Sequence, residues 1–396
     1  MVPAPFARLS RAALGEARDF VRLDAVSSAD VLKGPALRAR RRRIDWARHL
    51  VQAGFLLTVV CVGWEFGRWV HGLEAGRIVG ARPPGVEAFL PIAALLSLRH
   101  LGTTGEIHPV HPAGLAILLL AVGISVLAKK AFCSWVCPVG TLSEMLAGLS
   151  QRLFRRKLRL PRLVDLPLRS LKYLLLAFFV YAVFFQMGPA AVADFLDSPY
   201  NRVADVKMLY FFERLSPFAL KALVGLVLLS VAIPYSWCRY LCPYGALVGA
   251  FSLLSPLKIT RHAPSCIDCD LCTKACPSHL PVARLARVRS DECFSCLSCV
   301  AACPVTRALR VETPAPWGRA VRPAAFAALV VGLFVGGTLL ARATGHWTSA
   351  ITEEEYARRV RTIDSPAYAH DRGRVPTREE WEAAETPAAA DRPVPR

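Results

Sequence analysis

Twelve of the 13 cysteines fall into four short motifs. Two of these are Cys266-x2-Cys269-x2-Cys272-x3-Cys276-Pro277 and Cys293-x2-Cys296-x2-Cys299-x3-Cys303-Pro304. Thiolates at three-residue intervals wrap three corners of one iron–sulfur cube. The fourth is carried away by a turn into a helix and reaches the neighbouring cube. The spacing therefore predicts two 4Fe–4S clusters with crossed ligation. Cys266, Cys269, Cys272 and Cys303 hold one, and Cys293, Cys296, Cys299 and Cys276 hold the other. Paired zinc sites are the competing reading, because Cys-x2-Cys also suits zinc. Zinc, however, has no use for the x3-Cys-Pro extension. Small residues around the cysteines (Ser295, Ser298, Ala301, Ala302) let backbone N–H groups approach cluster sulfides, one way in which a protein tunes potential.

The other four cysteines form an internal repeat. Phe132-Cys133-Ser134-Trp135-Val136-Cys137-Pro138-Val139-Gly140 matches Trp237-Cys238-Arg239-Tyr240-Leu241-Cys242-Pro243-Tyr244-Gly245. A Cys-x3-Cys pair on a helix puts both sulfurs on one face, and proline fits the start of a new helix or a kink. Four thiols at two matched sites suggest one converging site that binds a further metal or passes electrons. The plainer alternative is a folding feature at a helix end.

These motifs must be held by elements that the composition places in a bilayer. The chain of 396 residues is 54% hydrophobic yet 20% charged, so its apolar residues lie in blocks. Spans are expected at about 49–70, 113–130, 170–187, 217–236 and 323–341. The shorter run 86–98 reads as an interfacial or re-entrant helix. Small residues at 332–337 favour close helix packing in the last span. Cys61 lies in an apolar run and is expected to be a buried packing residue. No apolar signal-peptide core follows the start methionine, so no cleaved leader is expected.

The net charge of +19 is unevenly spread. Segment 129–168 has 8 basic and 2 acidic residues, including Arg155, Arg156, Lys157 and Arg159, and 255–322 has 10 and 5. Segments 71–112 (3 and 3), 188–216 (3 and 4) and 343–396 (8 and 10) carry no such excess. The positive-inside rule then puts the N-terminus, 129–168 and 255–322 in the cytoplasm, with both repeats at the cytoplasmic ends of inward-running, parallel spans. Most of the positive charge is thus topological, and nucleic acid is not an expected partner. The basic loop 129–168 could still dock an acidic partner or anionic lipid.

The expected fold is a multi-span α-helical membrane protein of about five spans, with an inserted α+β ferredoxin-like domain. Residues 1–48 form a basic extension, helical near 12–23. Residues 49–254 form a four-helix membrane region, 255–315 the ferredoxin-like domain, and 316–342 the fifth span. A polar tail, 343–396, has short helices near 352–361 and 377–384 and a disordered end.

Two Cys-x3-Cys-Pro repeats followed by a double ferredoxin motif resemble the membrane-bound polyferredoxins of the NapH, NosR and CcoG type. The resemblance covers about 49–310. It implies a bacterial inner-membrane electron carrier that is not a stand-alone enzyme. Its implied partners are quinone or quinol, a membrane cytochrome, and respiratory reductase or oxidase subunits. For the CcoG type it implies copper reduction in cytochrome oxidase assembly instead. The chain differs in detail: NapH-type proteins usually lack a span after the clusters, and CcoG-type proteins end in a β-rich periplasmic domain. His108 and His111, at the entry to the second span, read as part of a solvated loop rather than as ligands to a quinol or metal. No Cys-x-x-Cys-His motif is present for a c-type haem, no deep histidine pair for a b-type haem, and no Gly-rich phosphate loop.

Overall fold

A computed structural model describes residues 31–154, 160–314, 316, 318–365, 368 and 379. The helix expected near 12–23, that near 377–384 apart from Glu379, the disordered end from residue 383, and Arg155, Arg156, Lys157 and Arg159 lie outside the described residues.

The described residues are mostly helical, and proline marks where many helices begin. Pro91, Pro112, Pro189, Pro217, Pro243 and Pro323 each open a helix in its first turn. There the missing N–H is not needed, and the fixed φ suits the helix. Among the described residues, three helices are long and apolar enough to cross a membrane: Gly34–Glu74, Leu163–Gln186 and Pro323–Ala343. A fourth span arises if Ala204–Glu213 and Pro217–Ala232, bent by 81°, count as one. Their outward faces carry exposed large apolar side chains, among them Leu57, Trp64, Phe178, Phe218 and Leu339. That is the surface a bilayer covers. Cys61 belongs to this face. It is exposed, not buried, because a membrane helix is apolar on its outer side as well as its inner one.

The expected span at 113–130 is the helix Pro112–Ala128, of 17 residues. Its rise of about 25 Å at 1.5 Å per residue is at the short end of what crosses a ~30 Å hydrocarbon core. It forms the central post that joins the two ends of the molecule. Ala113, Leu115, Ala121, Ile124, Ser125 and Ala128 are buried along its length. The apolar run near 86–98 forms a turn, Pro84–Phe89, and a helix, Pro91–Thr104, which packs on the post.

The segments fall into two groups at opposite ends. One end gathers 71–112, 188–216 and part of the tail. Trp69, Val86, Val110, Val206, Tyr356 and Val360 share an apolar core there. Arg82 is buried and bonded to Asp205 (2.6 Å) and Glu87 (2.8 Å), and Glu353 accepts from Trp69 Nε1 (2.6 Å). Burial works against the Arg82 charge, but Asp205, Tyr356 and Glu87 outweigh it and hold the guanidinium charged. His111 is buried too, with Nε2 2.7 Å from the Asn201 carbonyl, and so is His108. The histidine loop is therefore interior, not solvated. The start of the tail is also more ordered than its polarity suggests. The helix Glu353–Arg361, capped by Thr352, presses Tyr356 and Val360 onto the first helix.

The other end gathers the three strongly basic segments around a three-stranded antiparallel sheet. β1 (Lys258–Arg261) pairs with β2 (Leu309–Glu312), and β2 with β3 (Ala320–Val321). The strand pair brackets the cysteine-rich stretch and closes it into one unit.

The cap end generates a prediction. Arg82→Met leaves the buried carboxylates of Asp205 and Glu87 without their shared guanidinium, a class of change that costs about 3–5 kcal/mol. In detergent, the variant should unfold at lower temperature and be cleaved earlier between residues 345 and 365. Unchanged melting and proteolysis would show that the ion cluster is not what holds the tail.

Candidate metal centres

The two ferredoxin motifs fold as near copies. In the first, Asp268 and Asp270 have φ of 49° and 55°. In the second, Ser295 and Leu297, at the matching positions, have φ of 50° and 61°. Left-handed residues in such a turn can direct N–H groups inward, a concavity that suits an anion. Each motif then enters a one-turn helix, Leu271–Ala275 or Ser298–Ala302, and its last cysteine follows that helix. The helix carries the fourth cysteine away from its sequence neighbours. Cys266, Cys269, Cys272 and Cys303 line one cavity. Cys276, Cys293, Cys296 and Cys299 line a second.

No three His, Cys, Asp or Glu side chains among the described residues stand close enough to share one metal ion. The four cysteines lining each cavity match in number the four thiolates that a 4Fe–4S cluster takes. Burial pushes the thiols of Cys276, to about 12, and of Cys272, Cys293, Cys299 and Cys303 upward. They are protonated at neutral pH unless iron displaces the proton.

The Cys-x3-Cys-Pro copies share a backbone signature. The N–H of Cys137 bonds to the Phe132 carbonyl, and that of Cys242 to the Trp237 carbonyl, both at 2.9 Å. The next helices begin at Pro138 and Pro243. The second cysteine of each pair thus sits at a junction between helices, not on one continuous helix with the first. Cys242 caps its helix, its Sγ accepting from the Gly245 N–H at 3.2 Å. The copies meet where Ser143, on the helix that Pro138 opens, lies 3.4 Å from Cys238 Sγ. The other three repeat cysteines all lie within electrostatic reach of Cys133. Burial raises their thiols, Cys137 to about 12 and Cys238 to about 11.

This repeat abuts the second cluster cavity. Cys133 and Cys238 pack with Phe294 and Cys296. Ser134 donates to the Phe294 carbonyl (2.6 Å) and Trp135 to that of Ser295 (3.1 Å). Lysines complete the joint: Lys129 and Lys130, which charge counting alone assigns to an exposed loop, and Lys172, which falls in the expected span at 170–187. Lys129, Lys130 and Lys172 are fully buried. Lys129 donates to the Ser290 carbonyl at 2.8 Å, Lys172 pairs with Glu292, and Tyr173 bonds to Asp291. Lys129 and Lys130 are therefore not free to dock an acidic partner or lipid. A clue lay in their position, immediately before the first Cys-x3-Cys-Pro copy.

This is the architecture of a membrane-bound polyferredoxin, and the chain belongs to that group, of the NapH and NosR type. A 4Fe-4S binding domain family matches residues 110–161 and 215–262, once around each Cys-x3-Cys-Pro copy, and a 4Fe-4S dicluster domain family matches 258–304. YccM of Escherichia coli, whose name marks it as a candidate electron transport protein, is 43% identical over 329 residues, or 81% of this chain and 91% of YccM. NirI of Paracoccus denitrificans is 31% identical over 289 residues, 71% of this chain and 38% of NirI. The ferredoxin-type protein NapH of Haemophilus influenzae is 29% identical over 258 residues, 63% of this chain and 83% of NapH. No solved structure matches the chain.

The two repeat glycines generate a prediction. A Cβ on Gly140 would meet the Cys133 carbonyl oxygen at 1.9 Å, whereas one on Gly245 finds Cys238 O at 3.5 Å. Gly140→Ala should cost at least the ~1–3 kcal/mol of overpacking and cut membrane accumulation severalfold. Gly245→Ala should accumulate normally. Equal tolerance of both would contradict the close approach at the first copy.

Proposed function

We propose that this protein carries electrons between a quinone pool or membrane cytochrome and a respiratory reductase, through two 4Fe–4S clusters on the cytoplasmic side of a bacterial inner membrane. The observation that carries the reading is the interleaving of the eight ferredoxin cysteines round two adjacent cavities. In this reading, Cys266, Cys269, Cys272 and Cys303 hold the outer cluster. Cys276, Cys293, Cys296 and Cys299 hold the inner one, against the membrane helices. Each cluster supplies one-electron chemistry when bound. The chain's own groups set its surroundings. The N–H groups of Ser278 and Leu280 reach the Cys276 sulfur, and that of Val305 the Cys303 sulfur. Arg40 donates to the Cys303 carbonyl at 2.8 Å. Donors and cations of this kind favour the more negative, reduced cluster.

The four cysteines of the repeat are proposed to bind a further metal beside the inner cluster. Two features support the sidedness. The strongly basic segments collect at the cluster end, and the weakly basic ones at the other. The relatives support electron transfer, YccM and NapH through their names.

Anaerobic membranes given a reduced quinol analogue or low-potential donor should develop reduced-cluster EPR signals that fall when the acceptor is added. Signals that answer no quinone or cytochrome, with copper(II) reduction that needs Cys133 and Cys238, would replace this reading by copper handling. Cys276→Ala should damage the cluster of Cys293, Cys296 and Cys299 and spare that of Cys266, Cys269 and Cys272. Damage confined to the latter would refute the crossed ligation. Reporter fusions at Ser255 and Arg396 should lie on opposite sides; the same side for both would refute the topology.

A further inference from the structure

We propose that a quinol binds with its headgroup between the first helix and the helix Pro138–Phe154, where His49 and Glu144 take its protons and its electrons leave toward the inner cluster through Cys296. The inference rests on the proposed link to the quinone pool, and it names the site and the groups that act there.

Two cavities meet there. A polar one is lined by His49, Glu144, Gln151 and His279, and His49 and Gln151 are exposed at its rim. A smaller one is lined by Cys133, Cys238, Phe294 and Cys296. Arg48, Glu144, Tyr235 and Pro277 border both. Glu144 therefore stands between the outside and a cysteine assigned to the inner cluster. Arg48 and Gln52, both buried, hold its carboxylate at 2.5 and 2.9 Å. His49, its side chain 58% exposed, stands 3.6 Å away on the other side, too far for a hydrogen bond. Tyr235 has a φ of 62°, a region that bulky residues rarely enter. Strained backbone of this kind gathers at binding and active sites. A brace between helices accounts for Arg48, Gln52 and Glu144. It does not call for an exposed histidine beside the same carboxylate, or for Tyr235 on the same cavity wall.

The surroundings fit an amphipathic occupant. The helix that carries Glu144 buries Gly140, Thr141, Ser143, Ala147 and Ser150. Leu142, Met145, Leu149 and Leu153 form an exposed apolar stripe along it, and Trp46 and Leu50 are exposed on the helix that carries His49. A helix with such a stripe suits the lipid interface. A quinol brings an apolar body for that surface and two hydroxyls for the polar cavity. An imidazole beside a carboxylate is a proton acceptor suited to neutral pH. Each hydroxyl gives up one proton and one electron, so both O–H bonds break and two ring carbonyls form. The protons pass in turn through His49 and Glu144 to water at the exposed rim. The electrons pass one at a time across the small cavity to Cys296, one for each of the two oxidised clusters.

The test uses the full-length protein, purified anaerobically in detergent, with its iron content measured. A short-chain benzoquinol and a naphthoquinol are each mixed with it, and cluster reduction is followed by EPR beside reduction by dithionite. His49→Gln and Glu144→Gln should each slow reduction by the more effective quinol at least about tenfold, with iron content and dithionite reduction unchanged. A photoreactive azido derivative of the corresponding quinone should label residues 45–49 and 144–151 in wild type, and label them less in Glu144→Gln. Quinol reduction at the wild-type rate in both variants, or label confined to other segments, overturns the site and leaves the quinone link in place. Wild-type clusters that accept electrons from dithionite but from neither quinol overturn the link and the site together. If Glu144→Gln fails to accumulate because Arg48 loses its partner, His49→Gln decides. Slowed quinol reduction with normal dithionite reduction then supports the site, and a wild-type rate overturns it.

Discussion

The arrangement depends on how a cysteine-rich loop is seated on a dry, cationic floor. Residues 288–296 rest on the ends of the membrane helices, and the contacts are made by lysines with no access to water. Lys129 reaches the Val288 and Ser290 carbonyls, Lys172 pairs with Glu292, and Lys130 stands over Phe294. Each of these charges is costly where it lies unless it meets a carbonyl, a carboxylate or an anionic metal group. The position of the loop is therefore fixed to within a hydrogen bond. That seating places the inner cluster cavity directly against the Cys-x3-Cys-Pro repeat. The outer cavity, by contrast, is bordered by the sheet end and Asp270 and lies further from the membrane helices.

A second network braces the floor from the side. Arg48 and Gln52 of the first helix both hold Glu144, at 2.5 and 2.9 Å, and Gln52 also donates to the Ser134 carbonyl. Asp165 accepts from Arg239 and Tyr240 of the second repeat. Both repeat copies are thus tied to neighbouring helices by charged hydrogen bonds close to their cysteines. At the far end, the Arg82 cluster does similar work for the tail and the loop that enters the central post. Buried charge is used twice in this molecule, once at each end, and the middle is apolar.

Much of this could be read from the sequence, for physical reasons. The cysteine spacing is a short-range pattern, so the eight ferredoxin cysteines stand out in the sequence, and the turn-then-helix geometry separates Cys276 and Cys303 from their neighbours. Proline at N1 marks helix starts locally, which is why the junctions at Pro138 and Pro243 were legible. What depends on burial was not. Counting charges treats Lys129 and Lys130 as an exposed basic patch, because a one-dimensional tally cannot show that the ferredoxin loop folds back over them. Apolar periodicity likewise cannot tell a lipid-facing residue from a core one, and Cys61 was misplaced for that reason. The tail helix was visible from Thr352 and its acidic first turn, but its packing through Tyr356 needs partners some 280 residues away, such as Trp69.

The central claim is that interleaved cysteines hold two clusters, the inner one seated on the membrane repeat. The most direct test is a cryo-EM map of the anaerobically purified protein in lipid nanodiscs. The account predicts two cubes of density, the inner one bonded to Cys276, Cys293, Cys296 and Cys299 and lying beside Phe294 and Cys238. Clusters each bonded to four cysteines contiguous in sequence, or an inner cluster separated from the repeat by a layer of other side chains, would contradict it.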